Sequence, residues 1–389
     1  MRKSALFLLG LVVTMIVALG LIILSSASEA NGFRLHGDAY YFLKRQSIYL
    51  GAGVILAVAV AAFDYRKWRD HEILAWLFYA GVIALLIAVF GFKAINGSHR
   101  WISLGPIRLQ PSEFAKLATV ILLSVWMDKA GWRVELFLRG AFWPAAIIGV
   151  IALPILLEPD FGSVMVVGAV GITVMLVAGT RILHMLPLAA VGVAVLAVKV
   201  ITNANRMARL AAFFGFKLDV GAEVVDAAAE RAAYQAHQAL VAIGNGGLWG
   251  VGLNQSMQKH YYLPEAHTDF IFAIGAEELG LPFSAGVLVL FLLFFLLSVY
   301  IAVKASDRFG RFLVVGMTFI IFFQAMFNIG VVCEALPTKG MALPFFSYGG
   351  TNMMSAFFAV GTILSVGIHS YRDKKRQFIS KVVMRGRDA

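Results

Sequence analysis

The chain has 389 residues, of which 60% are hydrophobic and 14% charged, with a mean hydropathy of +0.82. Soluble domains do not have this balance, whereas polytopic helical membrane proteins do. The formal net charge of +11 admits anionic lipid or nucleic acid as a partner, and the single cysteine, Cys333, excludes an internal disulfide.

Apolar runs long enough to cross a bilayer fall near 5–24, 47–63, 73–91, 112–127, 140–157, 161–178, 185–201, 281–303, 312–332 and 351–369. These ten runs match the ~20 residues a helix needs to span the hydrocarbon core. The first follows Arg2 and Lys3 as a signal peptide would, but its apolar core is too long, so it reads as a retained helix. Lys and Arg in the short loops assign the sides. With the N-terminus inside, 19 of the 33 basic residues fall on the inner side and 12 on the outer, while the acids split 8 inside and 14 outside. Both termini are therefore expected in the cytoplasm. The basic excess reads as orientation and anionic-lipid contact, not nucleic-acid binding.

The expected fold is thus an all-α polytopic membrane protein of about ten transmembrane helices, forming one domain over 1–389. A long extracytoplasmic loop, about 202–280, joins helices 7 and 8, and a basic cytoplasmic tail covers about 370–389. The tail reads as a membrane-surface anchor or a docking site for a cytoplasmic partner. There is no internal repeat and no low-complexity linker.

Three outer segments are polar and motif-like: 92–113, 202–280 and 333–350. Charges at such depths should face one another or a cavity, because facing lipid is costly. Glu113 and Lys116, three apart at the start of the fourth helix, share a face. They form either a snorkelling pair or the lining of a polar site with Asp160. Within 202–280, Val220 to Ile243 reads as a helix with Glu223, Asp226, Glu230 and Arg231 on its wet face. The glycines from Gly244 to Gly252 follow no strand, so they suit tight packing of a re-entrant backbone better than a phosphate loop.

The next stretch, Tyr261 to Phe272, crowds Glu265, His267, Thr268 and Asp269 at the end of the loop. An aspartate held where water meets bilayer is poised for proton transfer, because partial desolvation raises its proton affinity. Thr268 and Asp269 are equally competent to cap a short helix from Phe270 to Leu279. His267 reads as a structural residue hydrogen-bonded to the loop; metal ligation by it with Asp269 or Glu265 has no specific spacing behind it. In 333–350, Pro337 and Pro344 break any helix, leaving backbone and Lys339 able to meet an anion, or a rigid loop with a solvated lysine.

Several of these pieces together resemble the SEDS family of bacterial cell-wall proteins, whose members include FtsW and RodA. They are Gly97-Ser98-His99-Arg100-Trp101-Ile102, Gln110-Pro111-Ser112-Glu113-Phe114-Ala115-Lys116, Glu158-Pro159-Asp160-Phe161-Gly162-Ser163, Tyr234-Gln235 with the glycine-rich loop, Pro264 through Phe272, Glu277-Glu278-Leu279-Gly280, and Leu343-Pro344 through Gly350. Pro264 to Asp269 and Leu336 to Gly340 are similar to the division type, FtsW. Ala276 looks more like the elongation type, RodA, and Glu334 and Thr351-Asn352 depart from the usual pattern.

The resemblance implies a glycosyltransferase that polymerises lipid II into glycan strands at the outer face of the inner membrane, with undecaprenyl pyrophosphate as leaving group. Asp269 matches the family's essential aspartate and is the expected general base. Arg206, Arg209, Lys339 and Lys116 are expected contacts of the pyrophosphate. Arg100, Glu113, Asp160, Tyr234, Gln235, Glu265, His267, Thr268, Ser347 and Tyr348 complete the expected substrate-binding set. A divalent cation, Mg or Mn, bridging Asp269 and the pyrophosphate is the alternative to a metal-free base, and no organic cofactor is implied. The implied partners are a class B penicillin-binding protein and other division or elongation proteins. A lipid II flippase and a non-catalytic scaffold for a transpeptidase are the competing readings. Ionisable residues gather at the outer edge and not at the midplane, which favours the enzyme.

Overall fold

The protein is described here from a computed structural model covering residues 2–93, 98–105, 107–214, 222–260 and 262–385. It is an all-α membrane bundle: α1 (Arg2–His36), α2 (Tyr41–Ala62), α3 (Glu72–Ala88), α4 (Pro111–Ala130), α5 (Trp143–Leu157), α6 (Phe161–Ala178), α7 (Ile182–Ile201), α8 (Ala204–Phe214), α9 (Ala222–Gly246), α10 (Ile271–Val303), α11 (Arg308–Val332) and α12 (Gly350–Arg385). A two-stranded antiparallel hairpin, β1 (Ile102–Leu104) and β2 (Ile107–Leu109), with Ser103 opposite Arg108, precedes α4. The apolar pattern contains no signal for it.

Among the described residues, nine helical stretches are long and apolar enough to cross a membrane. The expected tenth span is α4. It has the length, 20 residues, but carries Glu113, Lys116, Asp128 and Lys129. It tolerates them because it is packed among α3, α5, α6 and α11 instead of facing lipid. At the other extreme, Met185 is the one buried residue of α7, with Leu188 packed partly buried against the core.

The eighth span agrees with expectation. The sequence suggests a short helix from Phe270, then a span from 281. The structure has this division: α10 (Ile271–Val303) is two helices that meet at a kink at Gly280, whose φ of 68° and ψ of −154° are not helical. A break in a membrane helix frees backbone groups that must find partners. The glycine loop supplies them: Val251 N–H donates to the Glu277 carbonyl, Gly252 N–H to the Glu278 carbonyl, and Leu281 N–H to the Gly247 carbonyl, at 3.0–3.1 Å. Gly246 and Gly250 lie so close to the backbone of 276–279 that a β-carbon would not fit. The reading of these glycines as packing residues therefore holds. The helix expected over Val220 to Ile243 is α9; Val220 itself lies outside the described residues.

Glu277 and Glu278 are consequently core residues, not open site carboxylates. Glu277 accepts from Ser256 Oγ and from the Met257 and Gln258 N–H groups; Glu278 accepts from Ser26 of α1 and from Lys259 Nζ (3.2 Å). This buried network ties the loop to α1 and α10.

Candidate active site

Asp269 ends the loop before α10. The residue at the helix N-cap position is Phe270, and no side chain makes a capping bond there, so the cap reading of Asp269 and Thr268 fails. Thr268 Oγ1 turns back instead, donating to Glu265 Oε2 at 2.7 Å. The backbone of 267–269 is clamped to the 338–348 loop. Asn328 Nδ2 of α11 donates to the Asp269 carbonyl (2.7 Å) and to the Met341 carbonyl (2.6 Å). Ser347 Oγ donates to the Thr268 carbonyl (2.6 Å) and accepts from Leu343 N–H (2.7 Å); Tyr348 N–H donates to the His267 carbonyl (3.1 Å). Gln46 of α2 in turn holds the Ser347 carbonyl and Gly349 N–H. Gly340 completes the contact: a β-carbon there would lie 2.5 Å from Asp269 Oδ2, so no larger residue fits without moving the carboxylate. Lys339 thereby sits next to the Asp269 contact.

Among the described residues, no hydrogen bond reaches the Asp269 carboxylate. Burial pushes its pKa up, Glu265 adds to the rise, and Arg209 and Arg100 oppose it; the result is about 7. Lys339 Nζ is buried and, among the described residues, has no hydrogen-bond partner. Burial drives its pKa down to about 7, with Asp160 supporting the charge and Arg100, Arg206 and Arg209 repelling it. Both groups thus stand near their midpoints at neutral pH. The ring of Phe161 carries two cations: Arg206 Cζ lies 3.7 Å from its centroid and Lys339 Nζ 5.5 Å. Gly162 leaves the room; a β-carbon there would meet Lys339 Cε at 3.2 Å.

Asp160, directly before Phe161, is the N-cap of α6. It accepts from Ser163 N–H (3.3 Å), Ser163 Oγ (2.7 Å), Ser112 Oγ (3.1 Å) and Gln110 Nε2 (3.2 Å). Burial alone would raise its pKa. Arg100, the Ser163 hydrogen bonds and Lys339 outweigh that and hold it below the usual carboxylate range. The Arg100 guanidinium donates to the Pro159 carbonyl (2.6 Å) and the Glu158 carbonyl (3.3 Å). The Glu158 carboxyl is fully buried and, among the described residues, has no hydrogen-bond partner; burial, then Asp160, raise it to about 8, so at neutral pH it is mostly protonated.

The remaining expected site residues divide. Glu113 and Lys116 form a buried ion pair (2.6 Å), and Glu113 also accepts from Ser355 (2.9 Å). Neither reaches water, which excludes the snorkelling reading. Arg206 donates to the Lys199 carbonyl at 2.8 Å, and burial weakens the proton hold of Arg206 and Arg209 alike. The His267 ring packs against Phe42, centroids 4.7 Å apart, and Tyr348. Among the described residues its Nδ1 is buried without a partner and no hydrogen bond joins its side chain to the loop; burial lowers its pKa. Tyr234 is exposed and Gln235 half-buried on α9; among the described residues no hydrogen bond joins either to Asp269. Asn328, Gln46, Ser112, Ser163 and Gly340 are the residues that sequence reasoning missed. Their types are common, and only their position against two distant loops gives them a role. Among the described residues, no group of three His, Cys, Asp or Glu side chains is gathered to hold a metal ion.

Comparison with known proteins places this arrangement in context. A family model described as "Cell cycle protein", covering FtsW, RodA and SpoVE, matches residues 6–372. A probable peptidoglycan glycosyltransferase FtsW of Nitrosococcus halophilus is 40% identical over 94% of this chain and 92% of its own. That of Geobacter metallireducens is 38% identical over 89% and 90%. Among solved structures, the rod shape determining protein RodA of Thermus thermophilus superposes with a TM-score of 0.65 at 26% identity, over 93% of this chain and 96% of that one. A chain from a peptidoglycan synthase complex, solved for its structural coordination of polymerization and crosslinking, superposes with a TM-score of 0.71 at 26% identity, over 94% and 98%. The chain therefore belongs to the SEDS family of FtsW, RodA and SpoVE.

Proposed function

We propose that the protein is a peptidoglycan glycosyltransferase of the division type, polymerising lipid II at the outer face of the membrane. The observation that carries this reading is the Asp269 carboxylate: partly desolvated, free of hydrogen bonds among the described residues, near its midpoint at neutral pH, and packed against Gly340, the chain neighbour of the buried Lys339. A base tuned this way takes the proton from the 4-hydroxyl of the acceptor sugar as that oxygen attacks the anomeric carbon of the donor. The departing undecaprenyl pyrophosphate develops negative charge, which Lys339, Arg206 and Arg209 are disposed to meet. One inverting displacement needs one base and no covalent carboxylate. A divalent cation is the second version of the site. Lacking a gathered protein ligand set, it would be held by Asp269 and Glu265 together with the diphosphate oxygens. The basic bias of the loops supports placing both termini in the cytoplasm and Asp269 outside. The assembly named for the superposing chain supports a class B penicillin-binding protein as partner.

The test is lipid II polymerisation in liposomes by the purified protein with its cognate transpeptidase, comparing wild type with Asp269→Asn, with and without a chelator. Glycan from wild type and none from a folded Asp269→Asn is the expected result. Polymerisation by the variant overturns the base assignment, and an inactive wild type favours transport or scaffolding. Loss on chelation selects the metal-bridged version.

A further inference from the structure

The end of the bundle remote from Asp269 carries a second built cavity. α4 begins beside Asp160, where Ser112 donates to that carboxylate, and runs 20 residues, about 30 Å, to Lys129 and Ala130. There a cavity of about 130 Å³ opens between α3, α4 and a stretch of π-helix, Phe137–Phe142. Its chemistry comes from Glu72 and Trp76 of α3, Trp126 and Lys129 of α4, and Arg139.

Three contacts fix the π-helical stretch and so aim Arg139. Trp126 Nε1 donates to the Arg139 carbonyl at 3.0 Å, and Thr180 Oγ1 to the Gly140 carbonyl at 3.0 Å. Gly140 lies so close to the Val134 carbonyl that no side chain fits. Among the described residues, the Arg139 guanidinium has neither an ion-pair nor a hydrogen-bond partner. Lys129 is paired with Glu72, but both side chains are about half exposed, 48% and 51%, so solvent screens the pair and it is readily exchanged. Two cations against one carboxylate leave the cavity lining net positive. Apolar side chains lie beside it: Trp143, 49% exposed, has its ring centroid 6.4 Å from that of the lining Trp126, and Trp132 and Leu138, 73% and 60% exposed, flank Arg133 and Arg139 in the chain. Phosphate chemistry is wanted inside and hydrocarbon outside.

We propose that this cavity is a binding site for an anionic phospholipid, its phosphate on Arg139 and Lys129 and its acyl chains along these apolar side chains. Basic pockets between membrane helices hold such headgroups by charge, with indoles marking the interfacial depth. Glu72 is then the competitor that the headgroup displaces from Lys129.

Native mass spectrometry of the full-length protein tests this, titrating phosphatidylglycerol, cardiolipin and phosphatidylcholine, with inorganic phosphate as the soluble control. Each cation near a lipid surface is worth about five-fold in affinity, so Arg139→Ala with Lys129→Ala should weaken phosphatidylglycerol about thirty-fold and leave phosphatidylcholine unchanged. Glu72→Gln should strengthen anionic lipid binding, a gain that damaged folding cannot mimic. Equal binding of phosphatidylcholine, indifference to all three substitutions, or displacement of the lipid by millimolar phosphate would each overturn the proposal.

Discussion

Two aspartates of the same polar region, Asp160 and Asp269, meet opposite environments. Asp160 starts α6 and accepts four hydrogen bonds, so its charge is held in place and its pKa falls. Asp269 ends a loop, accepts none on its carboxylate, and its pKa rises to about 7. Burial acts on both; hydrogen bonds and nearby cations decide the outcome. A carboxylate saturated with donors is a structural anchor, whereas one starved of them is ready to take a proton.

The sharpest way to break this contrast is to exchange each for its amide. Asp269→Asn should lower kcat by about 10²–10⁴-fold without loss of fold, as expected for removal of a general base. Lipid II polymerisation alongside a thermal midpoint checks both halves. Asp160→Asn should do the reverse in stability, costing about 1–3 kcal/mol as Ser112, Ser163 and Gln110 lose their charged acceptor. If both variants unfold the protein, the division of roles is wrong.

Next in size is Gly340→Ala. Its methyl would stand 2.5 Å from Asp269 Oδ2 and must push the carboxylate aside. A misplacement on that scale costs about 10²-fold in rate, with a smaller change in thermal midpoint. Asn328→Ala should act less severely on chemistry and more on stability, by about 1–3 kcal/mol, because it leaves the Asp269 and Met341 carbonyls without their shared donor.

The pH dependence sharpens the comparison further. The base form of Asp269 is present above about pH 7, and the charged form of Lys339 below about pH 7. A bell-shaped profile of kcat/KM centred near neutrality is expected. Lys339→Arg should flatten its alkaline limb, since a guanidinium stays charged. For stability the sign follows from the raised pKa. The folded state holds the Asp269 proton more tightly than the unfolded chain, whose value is 3.8, so this contribution is complete below pH 3.8 and is lost as pH rises to about 7. Asp269→Asn carries no such loss. Its thermal midpoint should gain on wild type by several degrees as pH rises over that window.

Composition and the run of apolar segments determined the membrane class of this protein. The crowding of Glu265, His267, Thr268 and Asp269 marked the candidate loop, because hydropathy and ionisable side chains are local properties written along the chain. Charge was less reliable when read locally: α4 looks too polar for a lipid-facing helix, yet it keeps its length because other helices surround it. Which aspartate is saturated with hydrogen bonds, and which has none on its carboxylate among the described residues, was decided only by tertiary structure. So were the burial of Glu277 and Glu278, the bridge made by Asn328, and the space kept by Gly340. The partners in each case lie 19 to 252 residues away for the glutamates and 59 for the Asn328–Asp269 bond. The proton affinity of a carboxylate depends on the donors and charges that folding brings to it, and no local pattern encodes where those will come from.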